Sequence, residues 1–204
     1  MEQGKVFRFG VRTAMAMAML AVCASGAPSQ GIKGGDVLPP DQSMLSAAAG
    51  ATAVFNSGGS SLPAVQYQIL AGGAGDYTVN AGTLLYVPIF FADDSPPMAV
   101  PGFPRNLNDK HAVADYLIAS IDAFAGVNDV VATFVEVDGQ TTILGNQYTV
   151  GVTTPSLPDG GGTHYIVSGV FLAPLPPGTH TVGVGAVLSD GTPIGPPGYT
   201  VTVK

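Results

Sequence analysis

The stretch "SGVFLAPLPPGTHTVGVGAVLSDG", residues 168–191, decides how the chain is read. Two apolar runs flank a Pro-Pro-Gly turn, and after the turn His180, Val182, Val184 and Ala186 alternate with Thr179, Thr181, Gly183 and Gly185. A period of two is the mark of a strand with one face toward a core. The alternation places His180 on the apolar side, at the core or its margin, where an imidazole needs partners for both nitrogens. The "PLPPG" turn offers backbone carbonyls for that purpose.

Similar runs extend in both directions. Toward the carboxyl terminus stands "GYTVTV"; toward the amino terminus stand "HYIVSGVFLAPL", "QYTVGV" and "DVVATFVEVDGQTTI", the last with an Asp138-Gly139 hairpin signal. Further back come "VQYQIL" (65–70), "YTV" (77–79) and "TLLYVPIFF" (83–91), a run that reads as buried on both faces. Pro88 predicts that this last strand lies at an edge or carries a bulge. Five prolines between residues 88 and 104 make the following segment a loop.

One segment has helical spacing. In "NDKHAVADYLIASIDAF", Val113, Leu117, Ile121 and Phe124 share a face, Asp115 and Asp122 lie opposite, and Asn108 or Asp109 caps the start. Short strands, frequent Gly and Pro turns and this one helix predict a mainly β chain. The expected fold is an antiparallel β-sandwich, immunoglobulin-like or jelly-roll-like, with a single inserted α-helix near 108–124 in a domain spanning 61–204.

Residues 27–60 read as a flexible or partly helical lead-in, where Asp41 or Ser43 caps a short Ala-rich helix that ends before Gly58-Gly59. Residues 1–26 have the layout of a secretory signal peptide: Lys5, Arg8 and Arg12, then the uncharged "TAMAMAMLAVCASGA". Cleavage after Ala24 or Gly26 would remove Cys23, the only cysteine, and with it disulfides and thiol chemistry. A lipid anchor on Cys23 is the alternative. No later run reaches the ~18 to 20 apolar residues of a transmembrane helix, so the expected location is secreted or periplasmic.

After the leader, four basic and thirteen acidic residues remain, a net charge of −9. Lys33, Arg105, Lys110 and Lys204 are scattered, which leaves no basic patch for a phosphate backbone and argues against nucleic-acid binding. Glycine-rich phosphate loops, a Gly-x-Ser-x-Gly elbow and a His-Glu-x-x-His helix are all absent.

Several residues still bear on chemistry. Adjacent Asp93 and Asp94, in a Pro-rich loop, suit calcium, which takes six to eight oxygens, or a solvated loop tip. Glu136 and Asp138 fall on one face of a strand end, as an acid and base pair of the glycosidase type or as turn residues. His111 and Asp115, four apart, can share a hydrogen bond on the helix. His164 follows three glycines and stays mobile until something orders it. A zinc site from His111, His164 and His180, or a Ser-His-Asp triad, has no local spacing behind it.

The order "YTVNAGTLLYVPIFF", capped helix, "VEVDGQ" hairpin, "VSGVFLAPLPPGTHTVGVG" and closing "YTVTV", across about residues 76–204, resembles a family of uncharacterised secreted bacterial proteins. Its members carry "VPAGKALFFPI"-like, "IDG"-like, "L-x-PLPPGxHTI"-like and "VTYxLTV"-like segments. The "SDGTP" extension departs from that pattern. The resemblance implies a secreted β-rich fold and no particular reaction. The expectation is a secreted or cell-surface module that binds an extracellular or cell-envelope partner or serves structurally, with no cofactor identified. The rivals are a hydrolase built on His180 or Glu136 with loop carboxylates, and a calcium-stabilised module built on Asp93 and Asp94.

Overall fold

The computed structural model describes residues 35–59, 62–195 and 198–204; the expected signal peptide and the Cys23 anchor lie outside the described residues. Two sheets pack face to face. One has strand order β1-β3-β7-β6: β1 is Gln68–Ile69, β3 Leu85–Asp93, β7 His164–Leu172 and β6 Thr149–Thr153. The other runs β2-β10-β8-β4-β5, with β2 at Ala74–Val79, β10 at Gly198–Val203, β8 at Gly178–Leu188, β4 at Val130–Val137 and β5 at Gln140–Leu144. Short β9, Pro193–Ile194, pairs with β8.

The sandwich is therefore as expected, but its sheets are mixed. β1 pairs parallel to β3, and β2 parallel to β10. The first arises because the chain passes from β1 to the opposite sheet for β2 and returns for β3; the second joins β2 to the last strand, far along the chain. Such crossings leave no turn signature, whereas an antiparallel hairpin does.

Between the sheets, Leu85, Val87, Val170 and Leu172 meet Val135, Val182, Val184, Tyr199 and Val201. Each such side chain withdrawn from water contributes about 1.5–3 kcal/mol before chain entropy is counted. One polar link crosses this layer: Thr133 Oγ1 and Ser168 Oγ are 2.8 Å apart and buried. Two facing hydroxyls satisfy one another, so the burial of either is tolerated.

Two helices are present: the inserted one, and the Ala-rich one expected within the lead-in. Helix α1, Gln42–Asn56, is capped by Asp41, whose carboxylate accepts from the Ser43 and Met44 amides. Leu45, Ala48, Ala49 and Ala53 bury against Tyr86, Tyr165, Val167 and Phe171 on the outer face of the four-stranded sheet. The small alanines let the helix approach the ring cluster closely. Residues 42–56 are thus the helical part of the lead-in, and they pack onto the sandwich. Their cover explains why β7 is buried along nearly its whole length.

Helix α2, Lys110–Ala125, is capped by Asp109 and ends at Gly126 in the left-handed region, φ +69°. Val113, Leu117 and Ile121 are buried against Ile166 of one sheet and Val130 and Ala186 of the other. The helix spans the two sheets. Phe124 departs from expectation at 57 % exposed, because the last turn carries it past the seam its three predecessors fill. In β3, the pairing with β7 shifts between Pro88 and Phe90, the bulge that Pro88 predicted.

Candidate functional site

The singled-out carboxylates and imidazoles form two Asp–His pairs, one on each sheet. The first joins the β4–β5 turn to β8. Asp138 and Gly139 both take positive φ, +50° and +79°, which suits a two-residue hairpin turn and a residue that tolerates the left-handed region. That turn aims the Asp138 carboxylate back across the sheet. Oδ1 accepts from the Thr181 amide at 2.9 Å, and Oδ2 lies 2.7 Å from His180 Nδ1. The other ring nitrogen, Nε2, lies 2.9 Å from the Pro176 carbonyl.

Both partners of the ring are acceptors, so both ring nitrogens donate and the imidazolium is the form that fits. Hydrogen bonding to Asp138 raises the His180 pKa above the ordinary histidine value; burial works against this, and the Pro176 carbonyl reinforces it. Burial would raise Asp138, but its bonds from the His180 ring and the Thr181 amide outweigh burial and hold the carboxyl below the usual range. The His180 side chain is only 11 % exposed, on the apolar side, as the alternation predicted. With no free nitrogen, it has none to offer as a base.

The second pair joins the end of β3 to the start of β7. Asp94 Oδ1 accepts from the Thr163 amide at 2.7 Å and the His164 amide at 2.8 Å, and Oδ2 lies 2.7 Å from His164 Nδ1. Burial alone would raise the Asp94 pKa; the His164 ring and the two amides lower it overall. His164 is 41 % exposed at the side chain, and no hydrogen bond among the described residues reaches its Nε2. Phe103 stands beside the ring, with centroids 6.2 Å apart.

The last of the three glycines before His164 has a packing reason. A Cβ on Gly162 would stand 2.5 Å from Asp94 Oδ1 and 2.6 Å from the Ser95 amide nitrogen. The loop must therefore be bare for the carboxylate to reach its donors, and Asp94 is the group that orders His164.

Asp93 and Asp94 turn to separate tasks. Asp93 accepts from Ser57 Oγ and from the Ser95 amide, both at 2.9 Å, so these adjacent carboxylates are occupied by donors within the fold. Glu136 and Asp138 likewise diverge: Glu136 accepts from Thr141 Oγ1 at 2.9 Å across the hairpin, while Asp138 serves His180. His111 has Asn146 as its ring partner, at a long 3.5 Å, in place of Asp115. The three histidines thus have three different partners, and among the described residues no three metal-ligating side chains come together.

The better-formed concavities are small. One, lined by Leu117, Ile118, Val131 and Leu144 among others, and another, lined by Leu38, Met44, Tyr148 and Phe171 among others, each measure about 30 Å³. That is room for about one water, against the ~300–1,000 Å³ of small-molecule pockets. No family model, curated protein or solved structure matches the chain.

Proposed function

We propose that the protein is an extracytoplasmic β-sandwich module that acts by surface binding or structural association, without a reaction of its own. The observation that carries this reading is the use made of the reactive groups: both Asp–His pairs tie strand ends together. The leader-like amino terminus and the resemblance to secreted bacterial proteins support an extracytoplasmic place, with a cell-envelope or extracellular partner. Among the described residues no helix is long and apolar enough to cross a membrane.

The outward face of β2, β10 and β8 is polar. Thr181 pairs with Thr200, and Thr202 sits between Thr179 and Thr78. Threonine favours strands and keeps such a face solvated.

The test has two arms. In cell fractionation of a bacterial expression host, the chain is expected outside the cytoplasm with its amino terminus near residues 25–28. With chromogenic ester and glycoside substrates, the purified protein is expected to show no turnover that depends on Asp94 or His164. Hydrolysis abolished by Asp94→Asn in a folded variant would replace this reading with an enzyme centred on the open His164 nitrogen. Retention in the cytoplasm would overturn the localisation.

A further inference from the structure

The His180 pair sits beneath the point where the described chain joins the sandwich. Gly35, at φ +86°, rests on two side chains: a Cβ there would stand 2.9 Å from Leu175 Cδ2 and 3.0 Å from Val137 Cγ1. From this seat a short strap runs along the end of β7. The Gly35 amide donates to the Ala173 carbonyl at 3.0 Å, the Ala173 amide to the Asp36 carbonyl at 2.8 Å, and the Leu38 amide to the Phe171 carbonyl at 2.9 Å. Val37 bridges to Leu172.

The residues that follow the two seat side chains are Asp138 and Pro176. These are the two acceptors of the His180 imidazole. One ring therefore ties together the two chain segments between which the strap is seated.

We infer that His180 is a proton-controlled clasp for the amino-terminal strap Gly35–Leu38. As an imidazolium it holds Asp138 and Pro176 together and keeps the Val137–Leu175 seat closed; on losing a proton it releases the Pro176 carbonyl and loosens the strap. A neutral imidazole has one N–H to give. Asp138, as the charged acceptor, keeps it. The Nε2 lone pair then faces the Pro176 carbonyl oxygen across 2.9 Å, an acceptor against an acceptor. Pro176 and Pro177 have no amide hydrogens with which to compensate.

Among the described residues, Asp138 is the charged group that bears on the ring. From β10 the facing residue is Val201; on β4, Glu136 is engaged with Thr141. Asp36 on the strap meets the 173–176 linker through its backbone carbonyl, and Lys204, past the end of β10, bonds through its amide to Val79. This inference goes beyond the binding reading and stands without it.

The experiment is amide hydrogen exchange on the full chain between about pH 5.5 and pH 9, bracketing the ordinary histidine value, alongside the His180 ring-proton titration by NMR. Protection factors, which remove the intrinsic pH dependence of exchange, are compared for Gly35, Leu38 and Ala173 against α2 and β6. The strap amides are expected to lose at least about tenfold protection as His180 deprotonates, with α2 and β6 unchanged; a tenfold change is about 1.4 kcal/mol of local stability.

In His180→Gln the step should vanish, because the amide side chain does not titrate. Asp138→Asn, which keeps an acceptor and a residue suited to positive φ, should move the midpoint to lower pH. Unchanged strap protection across the parent's His180 titration would overturn the inference. So would the same step in His180→Gln, or an unmoved midpoint in Asp138→Asn.

Discussion

The two Asp–His pairs share one construction and differ in what is left over. In each, an Asp just past the end of one strand reaches the start of the antiparallel neighbour, accepts at Oδ1 from backbone amides (one at Asp138, two at Asp94) and at Oδ2 from a histidine Nδ1. At His180 the second nitrogen is taken by the Pro176 carbonyl and the ring is nearly enclosed; at His164 it is open and the ring is 41 % exposed. The difference lies in the segment before each histidine. Pro176 turns a carbonyl toward the ring from the linker that carries the chain from one sheet to the other, whereas the 160–162 glycine loop brings no acceptor to His164 Nε2 among the described residues. A carboxylate alone orients an imidazole; a second acceptor turns it into a fixed cation.

The largest expected effect comes from cutting each pair in turn. His180→Ala leaves Asp138 and the Pro176 carbonyl without their shared donor and should cost about 2 kcal/mol in urea unfolding. His164→Ala, at a more exposed pair, should cost less than about 1 kcal/mol. Equal losses would break the comparison.

Stability against pH separates the members. The His180 pKa is raised, so its contribution is complete below the unfolded value of about 6.5 and is lost as pH rises through the folded value. Asp94 and Asp138 are lowered, so theirs is complete above about 3.9 and is lost as pH falls through their folded values. Thermal melts should show a plateau between those limits, with decline on both sides. Asp94→Asn should soften the acid decline only; a change on the alkaline side would couple the two pairs, contrary to their separate placement.

A smaller effect is expected at a polar group with no partner. Among the described residues Tyr86 Oη is buried without a hydrogen bond, and it lies where a Cβ on Gly169 would be 2.5 Å away. Tyr86→Phe should therefore be neutral or slightly stabilising by equilibrium unfolding, in contrast to His180→Ala. Loss of more than about 1 kcal/mol would mean that the hydroxyl has a role at this site. Acylation of histidines, finally, should leave stability nearly unchanged at first and still rank the rings. Diethyl pyrocarbonate needs a free nitrogen lone pair and should mark His164 well before His180, as read by peptide mass spectrometry. Faster marking of His180 would contradict its assignment as a doubly donating cation.

How much of this was legible depends on the range of the contact. The His180 face, the Asp138-Gly139 hairpin, the Asp109 cap and the Pro88 bulge are local, and alternation or turn chemistry reports them directly. Asp138 and His180 both stood out singly, but their union did not, because forty-two positions separate them and pairing register is set by the packed sheets. Asp94 and His164, seventy apart, were missed for the same reason. The glycines before His164 read as freedom; in the fold Gly162 is clearance for a carboxylate. Helix α1 was underestimated because its buried face is largely alanine, which has little hydrophobic contrast until aromatic rings from β3 and β7 pack on it.

By itself the sequence determined most of the strands, the Asp138-Gly139 turn, a choice of two residues for each helix cap, the acidic charge balance and the shortage of basic residues, since each follows from composition or from neighbours a few positions apart. Tertiary structure alone decided the parallel pairings, the helix cover on the four-stranded sheet and which aspartate holds which histidine. Those depend on segments far apart in the chain that meet only when apolar faces are buried. The opening stretch placed His180 near the core with the PLPPG carbonyls beside it, and the fold added Asp138, the second acceptor of the clasp.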